Sequence, residues 1–325
     1  MKDQTTKEQQ DRVLLAQLPT PLERLGRLSE VLGAEIWMKR DDLTGFAAGG
    51  NKVRKLEYLM HAALAAGADT VLTSGALQSN HARQTAAAAA RLGLKSVLVL
   101  AEAVPNRSAA YGRGGNLVLD RLVGADIRRV PAGQDAAPVI TRTIAALEAE
   151  GRKVFVIPVG GSNVTGALGY ARAAQELEGQ ASALGLRPDR IITASGSAGT
   201  QAGLVLGTAI PVLGISVSSS AGELSAKVAG LIAEAVQSHG FGDASGRAVQ
   251  VDDSQVGPGY GQPTAEMIEA VTLLAQLEGI FLDPVYSGKA MAGLIAMARA
   301  GQLPGTTVFL HTGGSPALFA YDEIF

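Results

Sequence analysis

Short apolar runs rich in β-branched residues alternate along the chain with segments whose apolar residues recur at helical spacing. Glycine or polar residues bound each apolar run, as expected for strands. Strands that alternate with helices in this way predict parallel sheets covered by helices. The six predicted strands span residues 70–75, 96–101, 153–158, 190–195, 212–218 and 306–311.

Two helices are predicted directly after polar turns that contain glycine. Apolar residues recur every three or four positions over residues 53–64 and again over residues 82–92, and a glycine follows each pattern. In open α/β sheets ligands bind at the carboxyl ends of strands, so turns that lead from strands into helices are the predicted binding surface. Residues 102–116 and 239–264 lack clear periodicity and are predicted loops.

Composition restricts the classes of function. The 325 residues are 47% hydrophobic, which is enough for the core of one large domain or two moderate ones. With 28 basic and 30 acidic residues, the net charge of -2 offers no field that attracts nucleic acid or an anionic membrane. The chain has no cysteine, which excludes disulfides and thiolate metal sites.

Neither export nor a membrane location is expected. The N-terminal dozen residues are polar, where a signal peptide has an apolar run, and no segment approaches the roughly 20 apolar residues of a membrane-spanning helix. The four histidines have none of the spacings of zinc ligands, so no metal is expected. A cytoplasmic protein is the resulting expectation.

The first candidate for chemistry is Lys52, which follows Gly49, Gly50 and Asn51 at the predicted start of a helix. Most lysines at such positions are solvated surface charges. A helix N-terminus nevertheless disfavours an ammonium group, and so favours the neutral amine that forms an imine with an aldehyde. Whether Lys52 has this role depends on the turns that surround it.

Two other strand ends carry clusters of polar or small residues. The run QSNH, residues 78–81, follows the strand at 70–75, and helix capping accounts for one of its polar side chains but not for all four. The turn at residues 195–200 consists of small residues that expose backbone N–H groups at a helix N-terminus, as a phosphate site requires. Its glycine spacing departs from the dinucleotide fingerprint, which favours a compact phosphate.

Five ordered segments resemble the tryptophan-synthase-β-like, fold type II group of pyridoxal 5′-phosphate (PLP) enzymes. Within that group the chain is similar to the family of D-cysteine desulfhydrases and 1-aminocyclopropane-1-carboxylate (ACC) deaminases, from about residue 19 to the C-terminus. The resemblance implies two α/β domains, each with a mainly parallel, open twisted sheet flanked by helices. It assigns residues 1–51 and 164–325 to a large domain and residues 52–163 to a smaller one, and implies a homodimer. The five segments are GGNKVRKLE, QSNHARQ, ASGSAGTQAG, DPVYSGKAMAGL and HTGGSPALFAY.

The family pattern, carried over position by position, implies roles for individual residues. Lys52 corresponds to the Schiff-base lysine, Asn80 to the partner of the cofactor's ring hydroxyl, and Ser79 to a residue that faces the substrate carboxylate. Tyr260 and Tyr286 resemble the two active-site tyrosines of the family. Substrate binding is implied for Gln78, Ser79, Asn80, His81 and Tyr286, and further cofactor contacts for Asn51, Lys55, Ser197, Ala198, Gly199, Thr200, Ser287 and Thr312.

Ser287 and Thr312 distinguish the subfamilies. The ACC deaminases that the chain resembles carry an acidic residue at the position of Ser287, opposite the pyridine nitrogen, and tend to have leucine at that of Thr312. The hydroxyl of Ser287, in place of a carboxylate, leaves the pyridine ring of the cofactor less electron-withdrawing. Such a ring suits elimination of a good leaving group such as a thiol. We therefore expect β-elimination of D-cysteine to pyruvate, hydrogen sulfide and ammonia, with Lys52 as the base and the tyrosines orienting the substrate or protonating sulfur.

Three alternatives stay open. An L-cysteate sulfo-lyase would use the same motifs, with Arg107 or Arg113 as the cation that a sulfonate requires. An ACC deaminase is the second alternative. The third is a non-catalytic protein that binds PLP or another phosphate ligand, against which the intact GGNK and QSNH segments argue. Asp41 and Asp42 are interpreted as a structural pair, because a similar pair recurs in the family.

Overall fold

The six apolar runs form strands of two separate sheets. The computed structural model describes residues 11–325 except 106 and 304. Its strands are β1 (Leu22–Arg24), β2 (Glu35–Lys39), β3 (Thr70–Ala76), β4 (Lys95–Ala101), β5 (Asp126–Val130), β6 (Val154–Val156), β7 (Pro188–Ser195), β8 (Val212–Ser216), β9 (Gln250–Asp252) and β10 (Thr306–Leu310). Its helices are α1 (Gly26–Leu32), α2 (Lys52–Ala65), α3 (Asn80–Arg91), α4 (Asn116–Leu122), α5 (Ala137–Ala149), α6 (Val164–Ala183), α7 (Gly199–Gly207), α8 (Ala221–His239), α9 (Ala265–Glu278) and α10 (Ser287–Arg299).

One sheet has six strands in the order β1-β2-β10-β7-β8-β9, and the other has four in the order β5-β4-β3-β6. All pairs are parallel except β1 with β2. The predicted α/β architecture with mainly parallel sheets is therefore confirmed. The predicted division into domains stays a prediction, although each sheet draws its strands from only one of the two proposed parts.

The segment 239–264 is not the uninterrupted loop that the sequence predicted. It contains β9, which pairs with β8 at the edge of the six-stranded sheet. The strand has three half-buried residues, too few to show an alternating pattern. The other predicted loop, 102–116, contains turns that lead into α4.

Helices cover both faces of the six-stranded sheet. Ile192 and Phe309 point into one buried cluster, whereas their chain neighbours Ile191 and Val308 point into the other. Strands buried on both faces read as continuous apolar runs, which is why the sequence revealed them. In the described part of the chain, no helix is long and apolar enough to cross a membrane.

Glycines let α6 and α7 approach closely. A Cβ atom on Gly203 would lie 2.4 Å from the carbonyl oxygen of Ala167, and one on Gly207 would lie 2.1 Å from that of Ala171. On the other side of α6, a Cβ atom on Gly169 would lie 2.2 Å from the carbonyl oxygen of Arg54. The three helices α2, α6 and α7 thus pack as one stack, which brings the first residues of α2 close to those of α7.

A buried ionic network fixes α2 within this stack. The Arg54 guanidinium donates to both carboxylate oxygens of Asp41 at 2.8 Å and to Glu176 on α6 at 2.9 and 3.0 Å. Lys39 at the end of β2 also pairs with Glu176. Asp41 accepts a further hydrogen bond from Tyr170. Asp41 therefore has the structural position that the sequence suggested, in a network away from the candidate site.

Candidate active site

A cavity of about 660 Å³ opens at the carboxyl ends of strands from both sheets. The turns after β3, β7, β8 and β10 line it, together with the first residues of α2. This is the edge at which open α/β sheets bind ligands. The cavity collects eleven of the residues that the sequence singled out: Asn51, Lys52, Ser79, Asn80, His81, Ser197, Ala198, Thr200, Tyr260, Tyr286 and Thr312.

Lys52 is the first residue of α2 and lines the cavity. Burial lowers the pKa of its ammonium group to about 8, and the negative charge of Asp283 opposes this shift. Sequence reasoning attributed a neutral amine to the helix N-terminus, whereas desolvation is the main cause in the structure. A lysine with this pKa has a substantial nucleophilic amine fraction near neutral pH.

Asp283 is a buried carboxylate close behind the cavity. It accepts hydrogen bonds from the backbone N–H groups of Val285, Tyr286 and Ser287 at 2.8 to 2.9 Å. The Thr312–Gly314 segment separates it from Lys52: the N–H of Asn51 donates to the Thr312 carbonyl at 3.0 Å, and a Cβ atom on Gly314 would lie 2.7 Å from the Asp283 carboxyl carbon. Sequence reasoning quoted Asp283 only as part of a motif and gave it no role.

Replacing Asp283 with asparagine is expected to lower the pKa of Lys52 further, because it removes an anion that stabilises the ammonium form. The rate at which the cofactor-free protein captures PLP, followed by visible absorption, should rise with pH and level off above about 8 in the unaltered protein. In Asp283→Asn the rate should level off at lower pH. Asp126→Asn, in an exposed pair with Arg128 on β5, is the control. If the rate of PLP capture in Asp283→Asn levelled off at the same or a higher pH, the result would contradict the effect of Asp283 on the pKa of Lys52.

Ser287 does not line the cavity, which corrects the geometry implied by the resemblance. Its hydroxyl is fully buried and donates to Asp283 Oδ1 at 2.6 Å, while it accepts from the Asp283 N–H at 2.9 Å. The hydroxyl hydrogen is thus committed to Asp283 instead of facing the cavity. Thr312 does line the cavity, so its predicted contact with the cofactor ring stays a prediction.

The turn Ser197–Thr200 has the geometry of an anion site. Ala198 adopts a positive φ of 72°, and α7 begins at the next residue, so backbone N–H groups converge at the helix N-terminus. The Asn51 side chain donates to the Thr200 hydroxyl at 3.0 Å and links this turn to the start of α2. The turn therefore offers hydrogen-bond donors next to Lys52.

Lys55 supports the same turn from behind. Its ammonium group donates to the Gly160 carbonyl at 3.1 Å and to Ser162 Oγ at 3.2 Å. Ser162 in turn donates to Ser197 Oγ at 2.8 Å and accepts from the Gly199 N–H at 3.2 Å. Neither Lys55 nor Gly199 lines the cavity. The two residues therefore lie behind the turn, on the side away from an anion in the cavity.

The donor set fits a phosphate group. Ser195 Oγ lies at the cavity wall, buried and without a hydrogen-bond partner among the described residues. Burial, together with the charge of Lys52, lowers the pKa of Lys55 well below its usual value. An anion at the turn would compensate this desolvation and satisfy the Ser195 hydroxyl. With Lys52 nearby for an aldehyde, the residues present fit PLP.

Tyr260 and Tyr286 form a hydrogen-bonded pair on the cavity wall. Their hydroxyl oxygens lie 2.6 Å apart, and the two rings meet edge to face with centroids 5.9 Å apart. Burial raises the pKa of both phenols, so each keeps its proton at neutral pH. Lys289 donates to the carbonyls of Val256 and Gly259 and so holds the loop that carries Tyr260. The pair therefore offers a phenolic O–H group at the cavity wall.

Gln78 lies outside the cavity, in contrast to the substrate contact that the resemblance implied. Its side-chain N–H₂ donates to the carbonyls of Tyr111 and Gly114 at 2.7 and 3.1 Å, and its oxygen accepts from the Asn116 N–H at 2.8 Å. All its polar atoms are thus occupied within the chain. Ser79 lines the cavity and also caps α3, accepting from the Ala82 N–H, which leaves its hydroxyl hydrogen for a ligand.

The two arginines suggested for a sulfonate are elsewhere. Arg107 pairs with Glu323 at 3.0 Å and packs over the Tyr321 ring, and neither it nor Arg113 lines the cavity. Among the described lining residues, the lysines are Lys52 and the exposed Lys227 of α8. His81 also lines the cavity, but burial and the nearby lysines lower its pKa, so it is neutral.

Several site residues escaped sequence reasoning. Ser162 follows β6 in a Gly-Gly-Ser turn, and the strand-end signal used for the other turns would have found it. Lys227 follows no strand end and gave no such signal, whereas Asp283 precedes α10 and bonds its first residues locally, so the quoted motif could have identified it.

Comparison with protein families supports the resemblance. Residues 13–313 match the family model described as pyridoxal-phosphate dependent enzyme. This range contains all the cavity residues named above.

Two similar proteins bear the same name. The chain is 46% identical over 309 residues to a D-cysteine desulfhydrase of Yersinia pestis (strain Pestoides F), covering 93% of each chain. It is 46% identical over 317 residues to the D-cysteine desulfhydrase of Klebsiella pneumoniae subsp. pneumoniae, covering 95% of this chain and 96% of the relative. The similarity thus extends over almost the whole of both proteins.

Solved structures share the fold. A crystal structure of an ACC deaminase homologue superposes with a TM-score of 0.85 at 38% identity, covering 98% of this chain and 96% of that one. A crystal structure of a threonine deaminase from T.th. superposes with a TM-score of 0.65 at 22% identity, covering 91% and 92%. The second likeness concerns the fold alone.

Proposed function

Because this chain belongs to the family of pyridoxal-phosphate-dependent enzymes, we propose that it catalyses the β-elimination of D-cysteine to pyruvate, hydrogen sulfide and ammonia. The observation that carries the proposal is the cavity itself. A lysine with a pKa of about 8 and a hydrogen-bonded tyrosine pair both line it, together with a turn that has the geometry of an anion site. The relatives at 46% identity that bear the name D-cysteine desulfhydrase support the choice of substrate.

The cofactor would be held at both ends. Lys52 attaches it covalently, and the turn Ser197–Thr200 binds its phosphate through backbone N–H groups and hydroxyls, with Lys55 behind. Asn80 would bind its ring oxygen, and Thr312 would contact the cofactor. When bound, PLP supplies an electron-withdrawing ring that stabilises the charge left on the substrate's α-carbon.

The protein's own groups then act on the substrate. The Ser79 hydroxyl donates to the substrate carboxylate and fixes the orientation of the α-carbon. The Lys52 amine accepts the α-proton, a task suited to a base with a pKa near the working pH. Tyr286, hydrogen-bonded to Tyr260, keeps a proton available for the sulfur, so that it leaves as hydrosulfide and not as the dianion.

Replacing Tyr286 with phenylalanine is expected to slow release of sulfide from D-cysteine by about 10²-fold, since the proton donor to sulfur is lost. The same variant should slow elimination from β-chloro-D-alanine much less, because chloride needs no proton to leave. Pyruvate formation measures both reactions. Tyr58→Phe, on α2 outside the cavity, is the control. Equal losses with both substrates would contradict the proton-donor role.

A substrate panel tests the choice of reaction. Pyruvate and sulfide should form from D-cysteine at a higher kcat/KM than pyruvate from L-cysteine or L-cysteate, or 2-oxobutyrate from ACC. The positions of Arg107 and Arg113 outside the cavity weaken the case for a sulfonate substrate. Absence of sulfide from D-cysteine in the PLP-loaded protein would overturn the proposal.

A homodimer and a cytoplasmic location are part of the same proposal. The dimer rests on the family resemblance, and the location rests on the polar and apolar patterning of the sequence. Light scattering of the purified protein would measure the oligomeric state, and a monomer that is fully active would contradict the dimer.

A further inference from the structure

An amide side chain outside the cavity, Asn116, contacts the cavity residue Asn80. Asn116 is the first residue of α4 and is fully buried. Its side-chain N–H₂ donates to Asn80 Oδ1 at 2.9 Å and to the backbone carbonyl of Gln78 at 2.9 Å. Sequence reasoning gave Asn116 no role.

These bonds fix which way each amide points. A backbone carbonyl is only an acceptor, so the side of Asn116 that faces the Gln78 carbonyl must be its N–H₂ group. The same N–H₂ group meets the Asn80 side chain, which must therefore present its oxygen. A flipped Asn80 amide would place two N–H₂ groups against each other.

The fixed orientation leaves the Asn80 N–H₂ group for the cavity. Asn80 lines the cavity, and the oxygen and nitrogen of its planar amide point to different sides. With the oxygen held by Asn116, the available group is a hydrogen-bond donor. A donor next to an ionisable oxygen stabilises its ionised form and lowers its proton affinity.

We propose that Asn116 is a positioning residue, which holds the Asn80 amide so that its N–H₂ group donates to the ring oxygen of bound PLP. The inference rests on the proposed function for the presence of PLP and for the position of Asn80. Gln78 extends the same arrangement, because its side chain joins the Asn116 N–H to the carbonyls of Tyr111 and Gly114. The start of α4 and the turn before it are thereby tied to the amide that contacts the cofactor.

The test is a pH titration of the visible absorption band of the PLP-loaded protein. In Asn116→Ala the midpoint should move upward by about one pH unit, because the ring oxygen loses a well-oriented donor. Asn80→Ala should move it at least as far. The double variant should match Asn80→Ala, since Asn116 acts only through Asn80.

Two further variants separate positioning from a general loss of stability. Gln180→Ala removes another amide, one that bonds Thr20 and Lys39 away from the cavity, and should leave the midpoint unchanged. Asn116→Leu keeps the branched shape of the side chain but has no N–H₂ group to hold the Asn80 oxygen, and should also raise the midpoint. It covers the case in which the alanine variant does not fold.

The outcomes distinguish this inference from the proposed function. No visible band in the unaltered protein after PLP is added would overturn the proposed function itself. A normal band whose midpoint moves in Asn80→Ala but stays unchanged in Asn116→Ala and Asn116→Leu would overturn only the positioning role. Additive shifts in the double variant would also overturn it.

Discussion

Replacing Lys52 with alanine is expected to abolish the visible absorption of PLP-loaded protein and to lower turnover of D-cysteine by at least about 10³-fold. The side chain has two tasks in the proposed site, covalent attachment of the cofactor and removal of the α-proton. Both depend on an amine that lines the cavity and has a pKa of about 8. The absorption spectrum after addition of PLP and the rate of pyruvate formation measure the two tasks separately.

Lys95→Ala is the control for this substitution, because Lys95 is an exposed lysine at the start of β4. It should keep both the band and the turnover. Full turnover in Lys52→Ala would contradict the assignment of the base. Unaltered protein that binds PLP at Lys52 but releases no product from any substrate of the panel would favour the non-catalytic alternative.

Replacing Arg54 with methionine is expected to lower the free energy of unfolding by about 3–5 kcal/mol. Arg54 is 2% exposed and pairs with Asp41, which is 0% exposed, so the substitution leaves a buried carboxylate without its main cation. Lys39 and Tyr170 remain, but Lys39 bonds Glu176 and Tyr170 contributes only one hydrogen bond to Asp41. Urea unfolding followed by circular dichroism measures the loss.

Arg24→Met provides the matched control for Arg54. Arg24 also forms an arginine–carboxylate pair, with Glu35, but its side chain is 45% exposed and that of Glu35 is 39% exposed. An exposed pair of this kind contributes less than about 1 kcal/mol. Similar losses in the free energy of unfolding for the two substitutions would show that burial of the Arg54 network does not increase its contribution to stability.

Lys52 and Arg54 are two residues apart on one helix and have different tasks. Lys52 faces the cavity, whereas Arg54 reaches Asp41 and Glu176. Sequence reasoning identified Lys52 from the glycines before it at a helix start together with the polar turns at neighbouring strand ends and the family resemblance. It had no means to identify the network, because Glu176 lies 122 positions away from Arg54 along the chain.

Five interior strands, β3, β4, β7, β8 and β10, were predictable because parallel strands buried on both faces read as unbroken apolar runs. The interior strand β2 and the edge strands β1, β5 and β9 were not predicted, whereas the edge strand β6 was. β5 carries two exposed arginines, and β1 and β9 have only three residues each, so none gives a clear pattern.

The polar turns were predictable as a group, but not the direction of each side chain in them. Gln78 and Ser79 are neighbours, yet Gln78 turns toward Tyr111 and Gly114 while Ser79 faces the cavity. Likewise, Tyr286 lines the cavity, but the next residue, Ser287, bonds Asp283. A long-range contact sets the direction of Gln78, whereas a contact with a residue four positions earlier sets that of Ser287.

Peptide mapping of the PLP-loaded protein after borohydride reduction tests the central assignment most directly, since reduction makes the link between cofactor and lysine permanent. Lys55, in the same peptide region, is the alternative lysine to which the cofactor could be linked. We expect it to stay unmodified, because it is fully buried and its side-chain nitrogen already bonds Gly160 and Ser162. Tandem mass spectrometry should place the added pyridoxyl phosphate on Lys52. Its presence on Lys55 or another lysine, with Lys52 unmodified, would contradict the account.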